Sequence, residues 1–221
     1  MNEKLITVTG KGCIHATPDI TRLILTLKSL HDTYDDAYAQ ASDNSAKLNV
    51  IMKEASLPTL LPKTILFDIE KKTQREYDKY GNYKSDKFIG FELNHKVKID
   101  LNMDTMLLNK VVKSIGKYLK QAEINIEYIV KDPQPFQLKM LERAIKDAKE
   151  KASIMAKACG CKLGPVKDIN YSVQEIHIYS QARFIHCAEE AIGCNMESLD
   201  ITPDDLTASD EVTVKWQLIT D

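Results

Sequence analysis

Apolar and polar positions alternate with a period of two in three stretches of the chain. Phe91, Leu93, His95, Val97, Ile99 and Leu101 share one face of the clearest, with Glu92, Asn94, Lys96, Lys98 and Asp100 on the other. Val212, Val214, Trp216 and Leu218 oppose Thr213, Lys215 and Gln217 near the end; Leu23, Leu25 and Leu27 oppose Arg22, Thr26 and Lys28 near the start. Such alternation predicts antiparallel strands with one face on a core and the other toward water. Shorter strands are expected at Leu5–Thr9, Ile65–Lys71, Ile124–Val130 and Val166–Val173.

Between these stretches the spacing becomes helical. A first helix is predicted from Tyr34 to Ala55, with Ala37, Ala41, Leu48, Ile51, Met52 and Ala55 inward, Thr33 as N-cap and Leu57-Pro58 as the stop. A second runs from Asp104 to Lys120 on Leu107, Leu108, Val111, Val112 and Ile115. The third and longest runs from Pro135 to Cys159, with Leu138, Leu141, Ile145, Ala148, Ala152, Met155 and Cys159 as its inward stripe and Gly160 ending it. Its outer face sets Glu142 against Lys146, Arg143 against Asp147 and Asp147 against Lys151. The predicted order is β-β-α-β-β-α-β-α-β-β, with an irregular stretch before the last strand. This is an α+β fold, with three main helices layered on one side of largely antiparallel sheet. Residues 70–87 are the most polar stretch, with Gly81-Asn82 as a turn, and predict a protruding β-hairpin.

Composition removes whole classes of function. With 221 residues the chain can bury roughly 70% of its unfolded surface without staples. Thirty Lys+Arg against 32 Asp+Glu give a net charge of -2, which argues against nucleic acid as a partner. No apolar run is long enough for a membrane span. Met1-Asn-Glu-Lys-Leu runs into a strand pattern and not a signal peptide, so the expected location is the cytoplasm, or the periplasm or cell envelope had a leader been removed. Five cysteines, an odd number, fit a reducing compartment.

Few motifs carry chemistry. Gly10-Lys-Gly12 follows a strand as a dinucleotide fingerprint would, but lacks the third glycine and the helix, and reads instead as a bulge or bend between strands. P-loop, nucleophile-elbow and His-Glu-x-x-His motifs are absent. Cys159, Cys161, His186, Cys187 and Cys194 are the candidate soft metal ligands, although one intervening residue between Cys159 and Cys161 is short for structural zinc. His95 lies on an apolar strand face, as a satisfied or cavity-facing histidine does. Asp19 heads a strand after Pro18, where a carboxylate holds a turn through nearby amides. Arg75, Tyr77, Tyr80 and Tyr83 could stack bases, but Glu76, Asp78 and Asp86 dilute the charge, and the stretch reads instead as a solvated hairpin or a subunit-contact arm.

Four blocks together resemble one family. Ile6-Thr-Val-Thr-Gly-Lys-Gly12 with Pro18-Asp19 is similar to the opening of SIMPL-domain proteins. Ile89-Gly-Phe-Glu-Leu-Asn-His-Lys-Val-Lys-Ile99 resembles their Gly-aromatic strand, and Ala144 to Ala156 with Gly160 and Leu163-Gly164 their Ala-rich third helix. Ile201-Thr-Pro203 and the Val212–Leu218 strand resemble their ending. The resemblance implies a single domain over residues 1–221, with two subdomains at about 1–102 and 103–221 as the alternative division. It implies no catalytic residues and no cofactor; relatives are typically exported, tied to the envelope or oxidative-stress tolerance, and some form closed homo-oligomers. The expected function is non-enzymatic, through homo-oligomeric assembly or a protein partner, in stress tolerance. The alternatives are a thiol- or metal-dependent enzyme built on Cys159, Cys161, Cys187 and Cys194, and a small-ligand carrier for which His95 is the polar lead.

Overall fold

The computed structural model describes residues 3–57, 60–171, 179–183 and 203–220, with backbone alone for 179–183. In chain order the described elements are β1 (Leu5–Ala16), β2 (Ile20–His31), α1 (Tyr34–Glu54), β3 (Lys63–Tyr77), β4 (Tyr83–Asn102), α2 (Thr105–Tyr118), β5 (Glu123–Ile129), α3 (Gln134–Ala158), β6 (Cys161–Asn170), β7 (Tyr179–Arg183) and β8 (Leu206–Thr220). The α+β class and the order match the expectation, with β7 added where the pattern had been irregular. Two compact units result. One takes Met1–Asp19, Ile129–Ser180 and Pro203–Asp221; the other takes Ile20–Tyr128 and Gln181–Thr202.

In the first unit β8 lies between β1 and β6 and pairs antiparallel with both, Val8 opposite Val214 and Ile169 opposite the same residue. Val8, Val212, Val214 and Trp216 face Ala144, Ala148 and Ala152 of α3 in one buried cluster. A second cluster joins Ile14, Ala16, Leu206 and Ala208 to Met140 and Val130. The buried line of α3 is therefore Met140, Ala144, Ala148, Ala152 and Ala156. The expected stripe holds in part: Ala148 and Ala152 are buried and Leu141 packs against them, but Leu138 and Met155 are 61% and 48% exposed, Ile145 is 39% exposed and Cys159 lies at the surface. The cause lies across the interface on β1. A Cβ on Gly10 would stand 2.1 Å from the Ala144 carbonyl oxygen, and one on Gly12 1.9 Å from that of Met140. Two glycines let strand and helix backbones come so close that only a small-residue face fits between them. Gly10 and Gly12 thus sit inside a strand, paired with Val212 and Asp210, and not at the bulge or bend expected of them.

In the second unit the strand order is β3-β4-β2-β5-β7. β4 pairs antiparallel with β2 and with β3, setting Leu23 opposite Ile99, Leu25 opposite Val97 and His95 opposite both Leu27 and Phe67. The alternation sends Leu23, Leu25, Leu27, Val97, Ile99 and Leu101 to one face, where Leu48, Ile51 and Met52 of α1 and Leu108, Val111 and Ile115 of α2 cover them. Each helix starts on the side chain the sequence supplies. Thr33 Oγ1 accepts from the Asp36 amide at 3.1 Å, and Asp104 Oδ1 from that of Leu107 at 3.0 Å. Glu54 at the end of α1 ties the helices together, accepting from Lys117 Nζ at 3.0 Å, from Ser114 Oγ at 3.3 Å and from the Tyr118 hydroxyl. Those partners, Tyr118 first and Lys117 next, hold its carboxyl below the usual range.

Candidate functional site

The expected protruding hairpin is the far end of the β3–β4 pair. β2 stops accompanying β4 at His31 opposite Phe91, whereas β3 and β4 remain paired out to Tyr77 opposite Tyr83. Beyond Phe91 the two strands form a ribbon, and two features mark its root. β3 has a register shift between Lys72 and Thr73, and Gly90 takes φ +141 where a Cβ would stand 2.5 Å from the His31 carbonyl oxygen. At the tip Gly81 has φ +85, and Asp78 closes the turn by accepting from the amides of Tyr80 and Asn82 at 2.8 and 2.9 Å. The Asn82 amide foremost, with those of Tyr80 and Gly81 and the Asn82 side chain, lowers the Asp78 carboxyl below its ordinary range. Tyr77, Tyr80 and Tyr83 are 58%, 76% and 59% exposed, and Lys79 Nζ lies 5.0 Å from the Tyr80 ring centre. Arg75 stands opposite Asp86.

Three thiols lie among the described residues. Cys13 is exposed on β1, opposite Ser209; Cys159 is exposed at the end of α3; Cys161 is half-buried and its Sγ lies 3.7 Å from the Cys159 carbonyl oxygen. His186, Cys187 and Cys194 lie outside the described residues. Among the described residues no group of three His, Cys, Asp or Glu side chains is placed to hold a metal ion. Asp19 was expected to hold a turn through nearby amides, and its carboxylate instead binds an amide far along the chain. Its Oδ1 accepts from the Lys131 amide at 2.7 Å, and its own amide donates to the Ile129 carbonyl at 3.1 Å.

His95 lies deep in the second unit. It is 4% exposed on the helix-facing side of β4, its Nε2 is 3.1 Å from Thr64 Oγ1, and its Nδ1 is buried with no partner among the described residues. Phe67 meets the imidazole edge-on, ring centres 5.4 Å apart. Both readings offered for it hold in part: Nε2 has a partner, and the residue is among those lining a groove. Burial lowers its pKa and favours the neutral form. A groove of about 440 Å³ opens here, lined by Tyr38, Ala41, Ser42, Ser45, Thr64, Phe67 and His95. A larger groove, about 610 Å³, runs past Lys28, His31, Asn44, Lys47, Lys117 and Lys120. Its basic look is deceptive, since Lys47 pairs with Asp43 at 2.6 Å and Lys117 with Glu54.

The family model described as SIMPL, protein of unknown function (DUF541), matches residues 6–216. The chain belongs to the SIMPL family. No curated protein matches it. The match takes in the β1 glycines, the arm and the His95 groove, so all of them lie within the SIMPL region. No helix among the described residues of this SIMPL protein is long and apolar enough to cross a membrane.

One buried polar pair carried no sequence signal. Asp210 is 7% exposed on β8, where its Oδ2 accepts from the Tyr171 hydroxyl at 2.8 Å and its Oδ1 from the Glu211 amide at 2.8 Å. That carboxylate, with burial, raises the Tyr171 pKa above its ordinary value. The alternation of β8 placed Asp210 on the inner face, but nothing near it in sequence named its partner.

Proposed function

We propose that this SIMPL protein acts without catalysis, by assembling with copies of itself through the β3 edge and the β3–β4 arm. The observation that carries the reading is the arm itself: a two-stranded ribbon leaving the sheet with Tyr77, Tyr80, Tyr83 and Phe88 largely exposed. β3 also stands at the end of its sheet, with Ile65, Leu66 and Phe67 between 40% and 51% exposed. A sheet edge with apolar side chains and open backbone groups is a template for another strand, and closed assemblies remove such edges by pairing them. Exposed tyrosines suit the same task, since each brings a large apolar surface and a hydroxyl at low entropic cost. Stress tolerance is the setting that the family resemblance suggests for such an assembly.

Light scattering on the full chain across a micromolar concentration range tests the proposal. The expected mass is a multiple of the protomer, falling when residues 74–86 are replaced by an Asn-Gly turn or when Leu66→Lys charges the edge. A monomer at every concentration overturns it, as does an assembly whose mass neither change alters.

A further inference from the structure

Two grooves meet along α1 in the second unit, and their charges are of opposite sign. The larger, about 610 Å³, is lined by Lys28, Lys47, Lys117 and Lys120 and by no acidic side chain. The smaller, about 540 Å³, is lined by Asp32, Asp36 and Asp43 and by no Lys or Arg. Leu30, His31 and Gln40 belong to both, so one trough runs from a basic end to an acidic one. We propose that this trough binds a free peptide of about three residues, its carboxylate at the basic end and its ammonium at the acidic end.

The ion pairs along the trough leave one charge unanswered at each end. Lys47 is held by Asp43 and Lys117 by Glu54, whereas Lys28 and Asp32 have no partner among the described residues. A polyanion or a polyamine is therefore matched at one end only, while a molecule with one charge of each sign is matched at both. Spacing sets its length. Lys28 and His31 stand three steps apart on β2, about 10 Å, and Asp32 follows at once. An extended tripeptide spans about 10 Å as well. The floor between the ends fits a peptide backbone. Asn44 is 7% exposed, and its Oδ1 accepts from Gln40 Nε2 at 3.0 Å. That bond leaves Asn44 Nδ2 and Gln40 Oε1 without partners among the described residues. Nδ2, which is not sealed from solvent, opens to the groove that Asn44 lines. One open donor and one open acceptor are what a single peptide group requires. Gln121, exposed at the basic end, offers a second amide. Two further polar pairs are closed on themselves: His31 Nε2 meets Ser29 Oγ at 2.8 Å, and the Tyr118 hydroxyl donates to Glu54. Leu30, 50% exposed, gives a peptide side chain its apolar contact.

No residue of β3, β4 or the arm lines the trough, so the site stands apart from the assembly reading. The experiment is calorimetric titration of the full chain with trialanine, with N-acetyl-trialanine and with trialanine amide. Trialanine is expected to bind saturably, and capping either end should weaken it about fivefold, the worth of one exposed ion pair. Lys28→Gln and Asp32→Asn exchange exposed side chains and leave the core intact. The first should erase the cost of amidation alone, and the second the cost of acetylation alone. The chain with residues 74–86 replaced by an Asn-Gly turn should bind as the parent does. The proposal is overturned by heats that do not saturate, by capped peptides that bind as tightly as the free one, or by charge variants that leave both costs unchanged. It is overturned equally if binding disappears with the arm, because assembly would then be what builds the site. A strict monomer that binds trialanine supports the site while the assembly reading fails.

Discussion

At the scale of single residues, Gly12 and His95 show what a one-atom difference means in a packed interior. Gly12→Ala places a methyl 1.9 Å from the Met140 carbonyl oxygen, a backbone atom of a helix that cannot yield alone. The expected cost is about 3 kcal/mol or more, at the upper end of overpacking penalties, read from urea midpoints at unchanged slope. A loss under about 1 kcal/mol would mean that α3 does not sit as described. His95 predicts a pH dependence. Its folded pKa lies below the unfolded value near 6.5, so between the two the unfolded chain binds more protons and stability falls as pH drops through that window. Compared at pH about 7 and about 5, the parent should lose more stability than His95→Gln, which has no ring to charge. Equal losses would show that the imidazole is as free to protonate in the folded chain as in the unfolded one.

At the scale of elements, the two sides of α3 make opposite predictions. Ile145→Ala, on an outer flank that is 39% exposed, should change stability by no more than about 0.5 kcal/mol. Ala148→Leu, on the wholly buried line against Gly10, should cost about 1–3 kcal/mol. Thermal unfolding of both variants checks the assignment, and the reverse order would put Ile145 in the core and Ala148 outside it. The bidentate pair of Arg22 with Asp100 across β2 and β4, at 2.7 and 2.9 Å, belongs to the same scale. Arg22 lowers the Asp100 pKa, so the contribution holds above the unfolded value and fades as pH falls through the folded one. Both groups are partly exposed, and a double-mutant cycle should find a coupling of only about 0.5–1 kcal/mol.

At the scale of the whole molecule, the second unit's long continuous segment Ile20–Tyr128 interrupts the first between Asp19 and Ile129. The single tryptophan, Trp216, is buried in the first unit and reports on that unit alone. If Leu25→Ala weakens the second unit by a few kcal/mol, the first sees at most a longer loop, whose closure entropy grows only logarithmically. Trp216 fluorescence should therefore keep its midpoint while probes of the second unit shift. A common shift would show that the units unfold as one.

Taken alone, the sequence determined whatever depends on local spacing. Period-two runs placed the strands of β2, β4 and β8, helical spacing placed α1 and α2 with their buried faces, and Thr33 and Gly160 marked helix ends, because these signals act within a few residues. Chain statistics also placed the protruding arm, since an unbroken polar stretch with a turn inside it has no core to join. What the tertiary structure decided concerns partners far apart in the chain. On α3 the spacing found Ala148 and Ala152, but only the close approach of the β1 glycines shows that the buried line continues through Met140, Ala144 and Ala156 and leaves out Leu138, Ile145 and Met155. Thr64, on another strand, reaches one nitrogen of His95, and nothing among the described residues reaches the other. Asp19 finds the Lys131 amide and Asp210 finds Tyr171 across long stretches of chain. Composition and periodicity describe what each segment can bury, whereas close approach and hydrogen-bond satisfaction depend on which segment arrives opposite.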